Sequence, residues 1–368
     1  MALQCVSVFS GAMGLDLGLE SAGFDLRFAA DNMPAAVKTA RKNRPGLPFF
    51  AGDVAELAAD DICRESGLAA GEVDLLAGGP PCQSFSTAGR RRGLDDADRG
   101  PLVFEFVRLV DELRPRAFLM ENVKGLLSAS ERWRELPYNN NGVKIDDLHG
   151  SLFRSLMAAF KALGYTVDFR EFNSADFGVP QTRQRVFVLG YRDGTPVSFP
   201  EPTHAKEAGL FSEPWRTLGD ALDGLTEDDS PCAVFSERKL KYLKMVPEGG
   251  NWRDLPEEAQ RESMGRAFYA KGGRSGYWRR LSRTRPSPTI LTEPQNASTS
   301  LCHPTEARPL TVRECARVQT FPDDWEFVGS RADQYRLVGN AVPVGLAAAV
   351  GAHVREELDG EQNLAAAG

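Results

Sequence analysis

The sequence predicts an α/β protein built on a mostly parallel, doubly wound sheet, with a smaller and more irregular second domain. Three observations support this prediction. Short apolar runs alternate with amphipathic stretches in the first half of the chain, a glycine-rich turn follows the first run, and the alternation stops after Arg192. Proline, glycine and tryptophan then become frequent. We therefore expect one domain at residues 1–192, completed by residues 336–368, and a second domain at residues 193–335.

Seven apolar runs have the length of strands, which predicts a seven-stranded sheet. They lie at residues 3–9, 24–31, 48–54, 73–79, 116–123, 166–173 and 185–192. The amphipathic stretches at residues 34–43 and 101–113 fit helices that connect parallel strands. Because only a loop separates the last two runs, we expect those two strands to pair as a terminal hairpin.

The composition indicates a cytosolic protein. The 368 residues include six cysteines that form no CxxC pair and four histidines that do not cluster with them. A disulfide framework or a zinc site is therefore not expected. No apolar run is long enough to cross a bilayer, and the start of the chain lacks the basic region and cleavage site of a signal peptide.

The net charge of −7 argues weakly against nucleic-acid binding, but the charge is unevenly distributed. Residues 266–285 contain seven basic residues, four aromatic residues and no acidic residue. A local basic face of this kind can bind phosphates on a protein that is acidic overall. A solvated surface over a few buried aromatic side chains explains the segment equally well, so this pattern alone leaves both interpretations open.

A glycine-rich turn, FSGAMGLDLGLESAGF (9–24), follows the first predicted strand and opens a helix. Its glycines allow a tight turn and the close approach of a ligand, as in doubly wound folds that bind nucleotides. Asp31 and Asp53 end the next two strands, where their carboxylates can accept from ribose hydroxyls and an adenine amino group. Phe9 can stack on the purine. The spacing is not GxGxxG, so a dinucleotide is not indicated, and a packing role for the glycines is the alternative.

A second candidate site lies in the loop GGPPCQSFS (78–86), which carries Cys82. A thiolate is the best side-chain nucleophile at neutral pH, although most lone cysteines are inert buried thiols. The position of Cys82 in a rigid loop beside the predicted nucleotide site favours catalysis. Glu121 ends the next strand and can supply an acid. Arg183 and Arg185 alternate in QTRQR, so both can point to one face, although ion pairing alone would also explain these charges.

Taken in order, these blocks resemble the motifs of cytosine-5 DNA methyltransferases. The resemblance extends from Val8 to about Ala349, and it rests on FSGAMGLDLG, GDV, GGPPCQSFS, ENV, QTRQRVFVLG, RPSPTI and GNAVPVGLA. It implies a class I S-adenosylmethionine-dependent methyltransferase fold with a target recognition domain. It also implies that a methyl group passes from S-adenosylmethionine to carbon 5 of a flipped-out cytosine in double-stranded DNA. The product would be S-adenosylhomocysteine, and no metal ion would take part.

The resemblance also implies roles for individual residues. Cys82 would attack carbon 6 of cytosine, Glu121 would contact ring nitrogen 3, and Arg185 with Arg183 would hold the base. The cofactor residues would be Phe9, Ser10, Gly11, Gly14, Asp31, Asn32, Asp53, Val54, Pro80, Asn340 and Ala341. The DNA-binding residues would be Ser84, Ser86, Arg90, Arg91, Arg92, Arg274, Arg279, Arg280 and Arg283.

Two positions depart from the family pattern. The first turn carries Ala12 and Met13 where the family usually has more glycine. Asp31 stands where the ribose-binding acid is more often glutamate, so Asn32 is expected to share that contact. The resemblance further implies a monomer that does not associate with membranes and that acts on DNA in the cytoplasm, with a cognate restriction endonuclease as a candidate partner.

Three other functions fit part of the sequence. A transfer-RNA cytosine-5 methyltransferase would share the PPCQ and ENV blocks, but the long arginine-rich region at residues 193–284 favours DNA. A catalytically inactive DNA-binding homologue is disfavoured because the implied catalytic residues are all present. A nicotinamide-dependent dehydrogenase is disfavoured because the GxGxxG turn is lacking.

Overall fold

The computed structural model describes residues 2–81, 102–129, 150–225, 229–269, 276–296 and 300–367, with side chains up to residue 360. The chain forms two compact units. The first unit consists of Met1–Asn173, Gln184–Glu201 and Leu346–Gly368, and the second of Ser174–Arg183 and Pro202–Gly345. These bounds differ from the predicted domains, since residues 174–183 and 336–345 lie in the second unit and residues 193–201 lie in the first.

The bounds of the strands and helices agree closely with the predicted pattern in the first half of the chain. The strands are β1 (Leu3–Val8), β2 (Phe24–Asp31), β3 (Phe49–Ala51), β4 (Leu75–Gly78), β5 (Ala117–Val123), β6 (Thr166–Asn173), β7 (Gln181–Thr182), β8 (Gln184–Tyr191), β9 (His204–Ala205), β10 (Glu213–Pro214) and β11 (Ser287–Pro288). The helices are α1 (Gly14–Ser21), α2 (Pro34–Asn43), α3 (Ala59–Ser66), α4 (Leu102–Leu113), α5 (Ser151–Ala162), α6 (Leu218–Leu222), α7 (Glu237–Leu243), α8 (Glu257–Met264), α9 (Val312–Val318), α10 (Arg331–Asn340) and α11 (Val344–Ala367).

A seven-stranded sheet forms the centre of the first unit, in the order β3-β2-β1-β4-β5-β8-β6. Strands β1 to β5 pair in parallel, and β8 is antiparallel to both of its neighbours, β5 and β6. The mostly parallel seven-stranded sheet and the pairing of the last two strands are therefore confirmed. The short connection between β6 and β8 requires this reversal, because parallel strands need a long crossover.

The core of the first unit follows from the helical spacing of apolar residues. Helix α4 buries Val103, Phe106, Val110 and Leu113 at intervals of three and four residues, which places them on one face. Helix α5 carries a similar face. Their aromatic rings pack on β5, where Phe118 stacks against a ring of α5 at a centroid distance of 4.2 Å. This packing fixes the position of β5, and therefore also the positions of the residues at its carboxyl end.

The second unit is irregular, as predicted, and two short parallel strand pairs, β10-β9 and β11-β7, replace a large sheet among its described residues. Its apolar cluster includes Tyr242, Trp252, Trp278 and Cys302. Three of its helices, α6, α9 and α10, begin with reciprocal capping boxes, in which the first side chain and an acid three residues later satisfy each other's backbone amides. Local hydrogen bonds of this kind hold a unit that has little regular sheet.

One stretch of the described chain, Arg331–Gly360, has the length and hydropathy of a membrane-spanning helix, and 61% of its most apolar window is buried inside the protein. The stretch is divided between α10 and α11, because Pro343 follows the bend after Asn340. A buried core helix of a soluble protein meets the same criteria.

Candidate catalytic and cofactor site

The candidate site lies at the carboxyl edge of the parallel strands, where the strand order reverses. β1 lies between β2 and β4, and the chain adds β2 and β3 on one side and β4 and β5 on the other. Ligands of doubly wound folds bind in the crevice at such a point. Val8 pairs with Ala30 and with Gly78, and Gly78 pairs with Met120. The segments that follow these strands therefore begin side by side.

The turn after β1 has an unusual backbone. Phe9, Gly11 and Met13 have positive φ angles of 59°, 54° and 64°. For residues other than glycine this conformation costs roughly 1–3 kcal/mol, and such strain concentrates at ligand sites. The amide of Ser10 donates to the carbonyl of Ala30 at 3.0 Å, which holds the turn against β2. An added side-chain carbon on Gly11 would meet no atom within 4 Å, so the turn has open space at its apex.

Asp31 ends β2 and binds this turn with its carboxylate. Oδ2 accepts from the amide of Gly11 at 2.8 Å, and Oδ1 accepts from the amide of Met33 at 2.7 Å. Burial raises the pKa of Asp31, while these backbone donors oppose the shift. Each oxygen can accept more than one hydrogen bond, so Asp31 can also hold ribose hydroxyls. Asn32 follows it with an exposed side chain.

The other implied cofactor residues of the first unit lie along the same edge. Asp53 is half-buried, and its Oδ1 accepts from the amide of Ala55 at 3.0 Å, which caps a short 3-10 helix. The side chain of Val54 packs into the core, so only its backbone can face a ligand. Gly14 begins α1, and the hydroxyl of Ser10 donates to Ser7 at 3.2 Å. Acids at the ends of two adjacent strands suit an adenosine group.

Asp16 is a buried acid beside the turn that the sequence analysis missed. Its side chain is fully buried in the first turn of α1, and burial raises its pKa to about 7. The nearby hydroxyls of Ser7 and Ser10 lower the pKa, but neither forms a hydrogen bond of regular geometry with the carboxyl group. One feature of the sequence could have indicated this buried acid. Asp16 lies between two leucines in a helix that is buried on almost every side.

Glu121 and Arg185 form a buried ion pair at the end of β5. Arg185 Nε lies 2.7 Å from Glu121 Oε1, and the side chains are 11% and 10% exposed. The register explains the contact, because Val123 pairs with Arg185 and Glu121 pairs with Phe187, so the two charged side chains lie diagonally on one face. Burial lowers the pKa of Arg185, and the charge of Glu121 opposes this shift.

The segment after β4 lies against this pair. A side-chain carbon on Gly79 would lie 3.1 Å from Glu121 Oε2, so glycine leaves room for the carboxylate there. Asn122 Nδ2 donates to the carbonyl of Pro80 at 3.0 Å. The ENV block thus holds the start of the loop that leads to Cys82, although Cys82 itself lies outside the described residues, together with Ser84, Ser86, Arg90, Arg91, Arg92 and Arg274.

Arg183 has surroundings that differ from those of Arg185. Its guanidinium is almost fully buried in the second unit, where it donates to the carbonyls of Ile290 at 3.1 Å and Gly339 at 2.9 Å. A contact to Asn340 is longer, at 3.5 Å. The guanidinium of Arg183 thus holds backbone carbonyls, whereas Arg185 Nε pairs with Glu121. The contact of Arg183 with the base stays a prediction.

Two glutamines that the sequence analysis did not single out complete this cluster. Gln181 Nε2 donates to Gln319 Oε1 at 2.7 Å, and Gln181 Oε1 accepts from the amide of Ile290 at 2.8 Å. Gln319 Nε2 donates to the carbonyls of Val338 and Ala341. The QTRQR, RPSPTI and GNAVP blocks are thus joined by buried hydrogen bonds within the second unit. In this arrangement the side chain of Asn340 is exposed and Ala341 is buried.

The three described arginines of the basic segment differ from one another. Arg280 is 7% exposed, and its guanidinium donates only to backbone carbonyls. It is therefore unavailable to DNA, which corrects the sequence prediction. Arg283 forms an ion pair with Asp223. Arg279 is half-buried, and among the described residues it has no hydrogen-bond or ion-pair partner. The aromatic residues Tyr277 and Trp278 pack into the apolar cluster. This packing agrees with the interpretation of residues 266–285 as a solvated surface over buried aromatic side chains.

Within the part of the chain that the structure describes, no group of three or more histidine, cysteine, aspartate or glutamate side chains is arranged to hold a metal ion.

The comparison with known families decides the identity. The model of the "C-5 cytosine-specific DNA methylase" family matches residues 3–356, which is nearly the whole chain. The chain belongs to the C-5 cytosine-specific DNA methylase family. It is therefore a DNA (cytosine-5)-methyltransferase, and its catalysis depends on S-adenosylmethionine, as that of the family does.

Curated relatives cover almost the same span. The chain is 40% identical over 352 residues to the type II methyltransferase M.PspPI of Psychrobacter, covering 94% of this chain and 77% of the relative. It is 39% identical over 364 residues to M.Eco47II of Escherichia coli, with coverages of 96% and 79%. It is 33% identical to M.MthTI of Methanothermobacter thermautotrophicus, covering 99% of this chain and all of the relative.

Solved structures show the same fold. A DNA modification methyltransferase encoded within an E. coli prophage matches with a TM-score of 0.67 at 24% identity, covering 97% of this chain and 100% of that chain. The S. pombe Dnmt2 methyltransferase matches with a TM-score of 0.63 at 16% identity, covering 97% and 99%. The predicted class I methyltransferase fold is therefore confirmed.

Proposed function

We propose that the methyltransferase modifies a cytosine within a specific short sequence of duplex DNA, after the base has been flipped out of the helix, through a covalent bond between Cys82 and carbon 6. The observation that carries this proposal is the buried Glu121–Arg185 pair, which lies against the start of the Cys82 loop at the cofactor edge of the sheet. An acid, a nucleophile-bearing loop and a cofactor turn are thus gathered at one edge.

The chemistry requires these parts because carbon 5 of cytosine is a poor nucleophile. Addition of the Cys82 thiolate to carbon 6 breaks the 5,6 double bond and makes carbon 5 electron-rich, which divides one difficult step into easier ones. S-adenosylmethionine, when bound, would supply a methyl group activated by its sulfonium, so that carbon 5 would gain the methyl group as the sulfur–methyl bond breaks and S-adenosylhomocysteine leaves. Carbon 5 then loses its proton to water, and the Cys82 sulfur leaves as the double bond re-forms.

Glu121 stabilises the charge that develops on the ring. Electron density moves toward ring nitrogen 3 as the thiolate adds, and Glu121, once its carboxylate has taken up a proton from solvent, can donate that proton or a strong hydrogen bond there. Arg185 Nε fixes one oxygen of this carboxyl group, and the space beside Gly79 accommodates the other. A rigid carboxyl group needs no reorganisation when the charge appears. Arg183 holds the backbone at Ile290 and Gly339 within the second unit.

The cofactor is held by the turn after β1 and by the acids that follow it. Asp31 would accept from the ribose hydroxyls, with Asn32 beside it, and Asp53 would accept from the adenine amino group. Phe9, Ser10, Gly11 and Gly14 form the turn, and the open space above Gly11 fits a bound group. Val54 and Pro80 line the same edge by their backbone, and we assign Asn340 and Ala341 to the methionine end.

DNA is held by the arginine-rich loop after Cys82 and by the second unit. Ser84, Ser86, Arg90, Arg91 and Arg92 would contact the strand around the flipped base, with further contacts from Arg274, Arg279 and Arg283. Flipping costs a few kcal/mol, which such contacts can offset. Replacing Arg90, Arg91 and Arg92 with alanine should weaken binding and flatten its dependence on salt. An unchanged salt slope would contradict this role.

The relatives' names support a proposal about the biological setting of this methyltransferase. Since similar proteins are named type II methyltransferases, we propose that the chain serves a restriction-modification system and has a cognate restriction endonuclease. We further propose that it acts as a monomer in the cytoplasm, on the DNA of the nucleoid. Bisulfite sequencing of DNA from cells that express the chain would give the methylated sequence.

A trapped adduct tests the mechanism. A duplex with 5-fluorocytosine at the methylated position should form a covalent complex that survives denaturing electrophoresis, because carbon 5 then has no proton to lose. Cys82→Ser should form no such complex while still binding S-adenosylhomocysteine. Methylation of the normal duplex without any trapped adduct would refute the covalent mechanism. Methylation of transfer RNA but not of duplex DNA would refute the substrate.

A further inference from the structure

The backbone around Arg279 is anchored on both sides. The carbonyl of Tyr277 accepts from the amide of Trp252 at 3.1 Å, and the amide of Arg280 donates to the carbonyl of Gly250 at 3.0 Å. Residues 250–252 thus bind the chain immediately before and after the short turn that carries Arg279. A residue held in this way has little freedom to change its backbone direction.

Arg280 provides the stronger of the two anchors. Its side chain is buried and donates to carbonyls from two separate segments. The acceptors are Leu243 at 2.6 Å, Val246 at 2.9 Å, Glu306 at 3.1 Å, His303 at 3.2 Å and Pro304 at 3.3 Å. Charge-assisted hydrogen bonds are stronger than neutral ones, and a guanidinium that makes this many contacts is immobile.

Trp278 provides the anchor on the other side. Its φ angle of 52° is positive, which is a strained conformation for an aromatic residue. The ring is 4% exposed and packs at a centroid distance of 5.1 Å from Tyr242. Strain of this kind persists only where the surroundings overdetermine the conformation, and it concentrates at functional positions. Trp278 and Arg280 thus hold the backbone on either side of Arg279.

Arg279 itself is a cation without a protein partner among the described residues. It is half-buried, and burial lowers its pKa with no acid opposing the shift. Its charge is retained, since an arginine remains protonated at neutral pH. No described residue accepts from its five donors, so no described partner offsets the partial desolvation of the guanidinium. A ligand that supplies acceptors would offset it.

We propose that Arg279 contacts the edge of a guanine in the recognition sequence and determines specificity at that base pair. This inference rests on the proposed function, because it takes sequence-specific duplex DNA as the substrate. The fork of a guanidinium matches the O6 and N7 acceptors of guanine in the major groove. Selective recognition requires rigid presentation, and Trp278 with Arg280 provides it.

A contact with phosphate would not require the backbone around Arg279 to be anchored on both sides. Phosphates are bound by exposed, flexible cations, and rigid presentation adds no sequence information there. Arg266 and Arg285, at the two ends of the same segment, are exposed, which suits such a contact. Arg279 differs from both in its partial burial and in its place between two buried neighbours, so base contact is the better explanation of its surroundings.

The test is a specificity profile. The recognition sequence is first obtained by bisulfite sequencing, and duplexes are then prepared in which each base pair of that sequence is replaced in turn. Arg279→Ala should lower kcat/KM on the intact sequence about ten- to a hundredfold. At one G·C pair, discrimination should nearly disappear, while discrimination at every other pair remains. Binding of the same duplexes by fluorescence anisotropy should show the same pattern.

Two further variants make the result decisive. Arg279→Lys keeps the charge and lacks the fork, so it should lose the same discrimination while retaining the salt dependence of binding. Arg285→Ala is the matched control from the exposed end of the segment and should discriminate as the parent protein does. Circular dichroism and melting curves should show that each variant is folded.

Three outcomes would contradict the proposal or the function on which it rests, and each can be distinguished from the other two. A loss for Arg279→Ala that is equal at all base pairs, with a smaller salt slope, would show a phosphate contact and overturn the proposal. Unchanged kcat/KM and binding would show that Arg279 does not meet DNA. Failure of the parent protein to methylate any duplex would instead refute the proposed function, so the two failures can be told apart.

Discussion

Arg185 Nε lies 2.7 Å from Glu121 Oε1, and this pair joins the end of β5 to the start of β8 within one face of the sheet. Both side chains are about nine-tenths buried, so neither charge is well solvated. A buried pair of this kind contributes little net stability compared with apolar packing, but loss of one partner leaves the other charge uncompensated. Since the pair contributes little to folding, its burial supports the catalytic role that we propose for Glu121.

Glu121→Gln should lower kcat at least about a hundredfold, since general acid catalysis contributes roughly 10²- to 10⁴-fold. The amide keeps the size of the carboxyl group, so binding of S-adenosylhomocysteine should change little. Transfer of a labelled methyl group to duplex DNA measures the first quantity, and isothermal titration calorimetry measures the second. The matched control is Glu171→Gln, which removes an exposed pair with Lys124. An active Glu121→Gln protein would contradict the assigned role.

Asp31→Ala should weaken the binding of S-adenosylhomocysteine at least about tenfold, because a charged hydrogen bond contributes roughly 1.5–3 kcal/mol. The change removes the acceptor that we propose for ribose and also the contacts that hold Gly11 and Met33. Isothermal titration calorimetry gives the affinity directly. Asn32→Ala, at the exposed neighbouring position, should have a smaller effect. Equal affinities for the parent and Asp31→Ala would place the ribose elsewhere.

Asp16 should make stability depend on pH. Its pKa is raised to about 7 in the folded protein, above the ordinary value of 3.8. The stability that the protonated acid contributes is therefore complete below about pH 4 and is lost as the pH rises from about 4 to about 7. The loss is on the order of 4 kcal/mol when complete. Asp16→Asn should remove this fall, so the pH dependence of the melting temperature should differ between the parent and the variant from about pH 4 to about pH 7.

The control for this prediction is Asp25→Asn, which changes an exposed aspartate of β2. It should leave the pH dependence of the melting temperature as it is in the parent. If Asp16→Asn also left that dependence unchanged, Asp16 would not be the buried titrating group.

Gln319→Leu should destabilise the protein by roughly 2–4 kcal/mol, because it leaves buried partners without hydrogen bonds. These partners are the amide of Gln181 and the carbonyls of Val338 and Ala341. Urea unfolding measures the free energy. Gln334→Leu removes a single hydrogen bond at the surface and should cost much less. If the two variants lost similar free energies of unfolding, the buried hydrogen bonds of Gln319 would contribute no more than the single surface hydrogen bond of Gln334.

The sheet could be predicted from the sequence because buried strands are short apolar runs that depend little on distant residues. The predicted run at residues 166–173 coincides with β6, and the run at residues 185–192 nearly coincides with β8. The position of Asp31 at the end of a strand followed from the same pattern. Local periodicity is sufficient for such features.

The unpredicted features depend on partners far away in the chain. Arg280 and Arg283 look alike in the sequence, yet one is buried against carbonyls of residues 243 and 303–306 and the other pairs with Asp223 near the surface. Gln319 lies 138 positions from its partner Gln181. Arg183 and Arg185 alternate as predicted, but they belong to different units. Local pattern carries no information about any of these partners.

The left-handed conformation of Met13 has a consequence for how the cofactor turn could evolve. Its side chain is fully buried, so it secures the turn by packing, where a glycine would supply only steric tolerance. A lineage that changed this position to glycine would relieve local strain and lose a buried thioether. Without this packing the turn would sample more conformations. The cofactor could then bind only to the fraction of molecules in which the turn has the competent conformation.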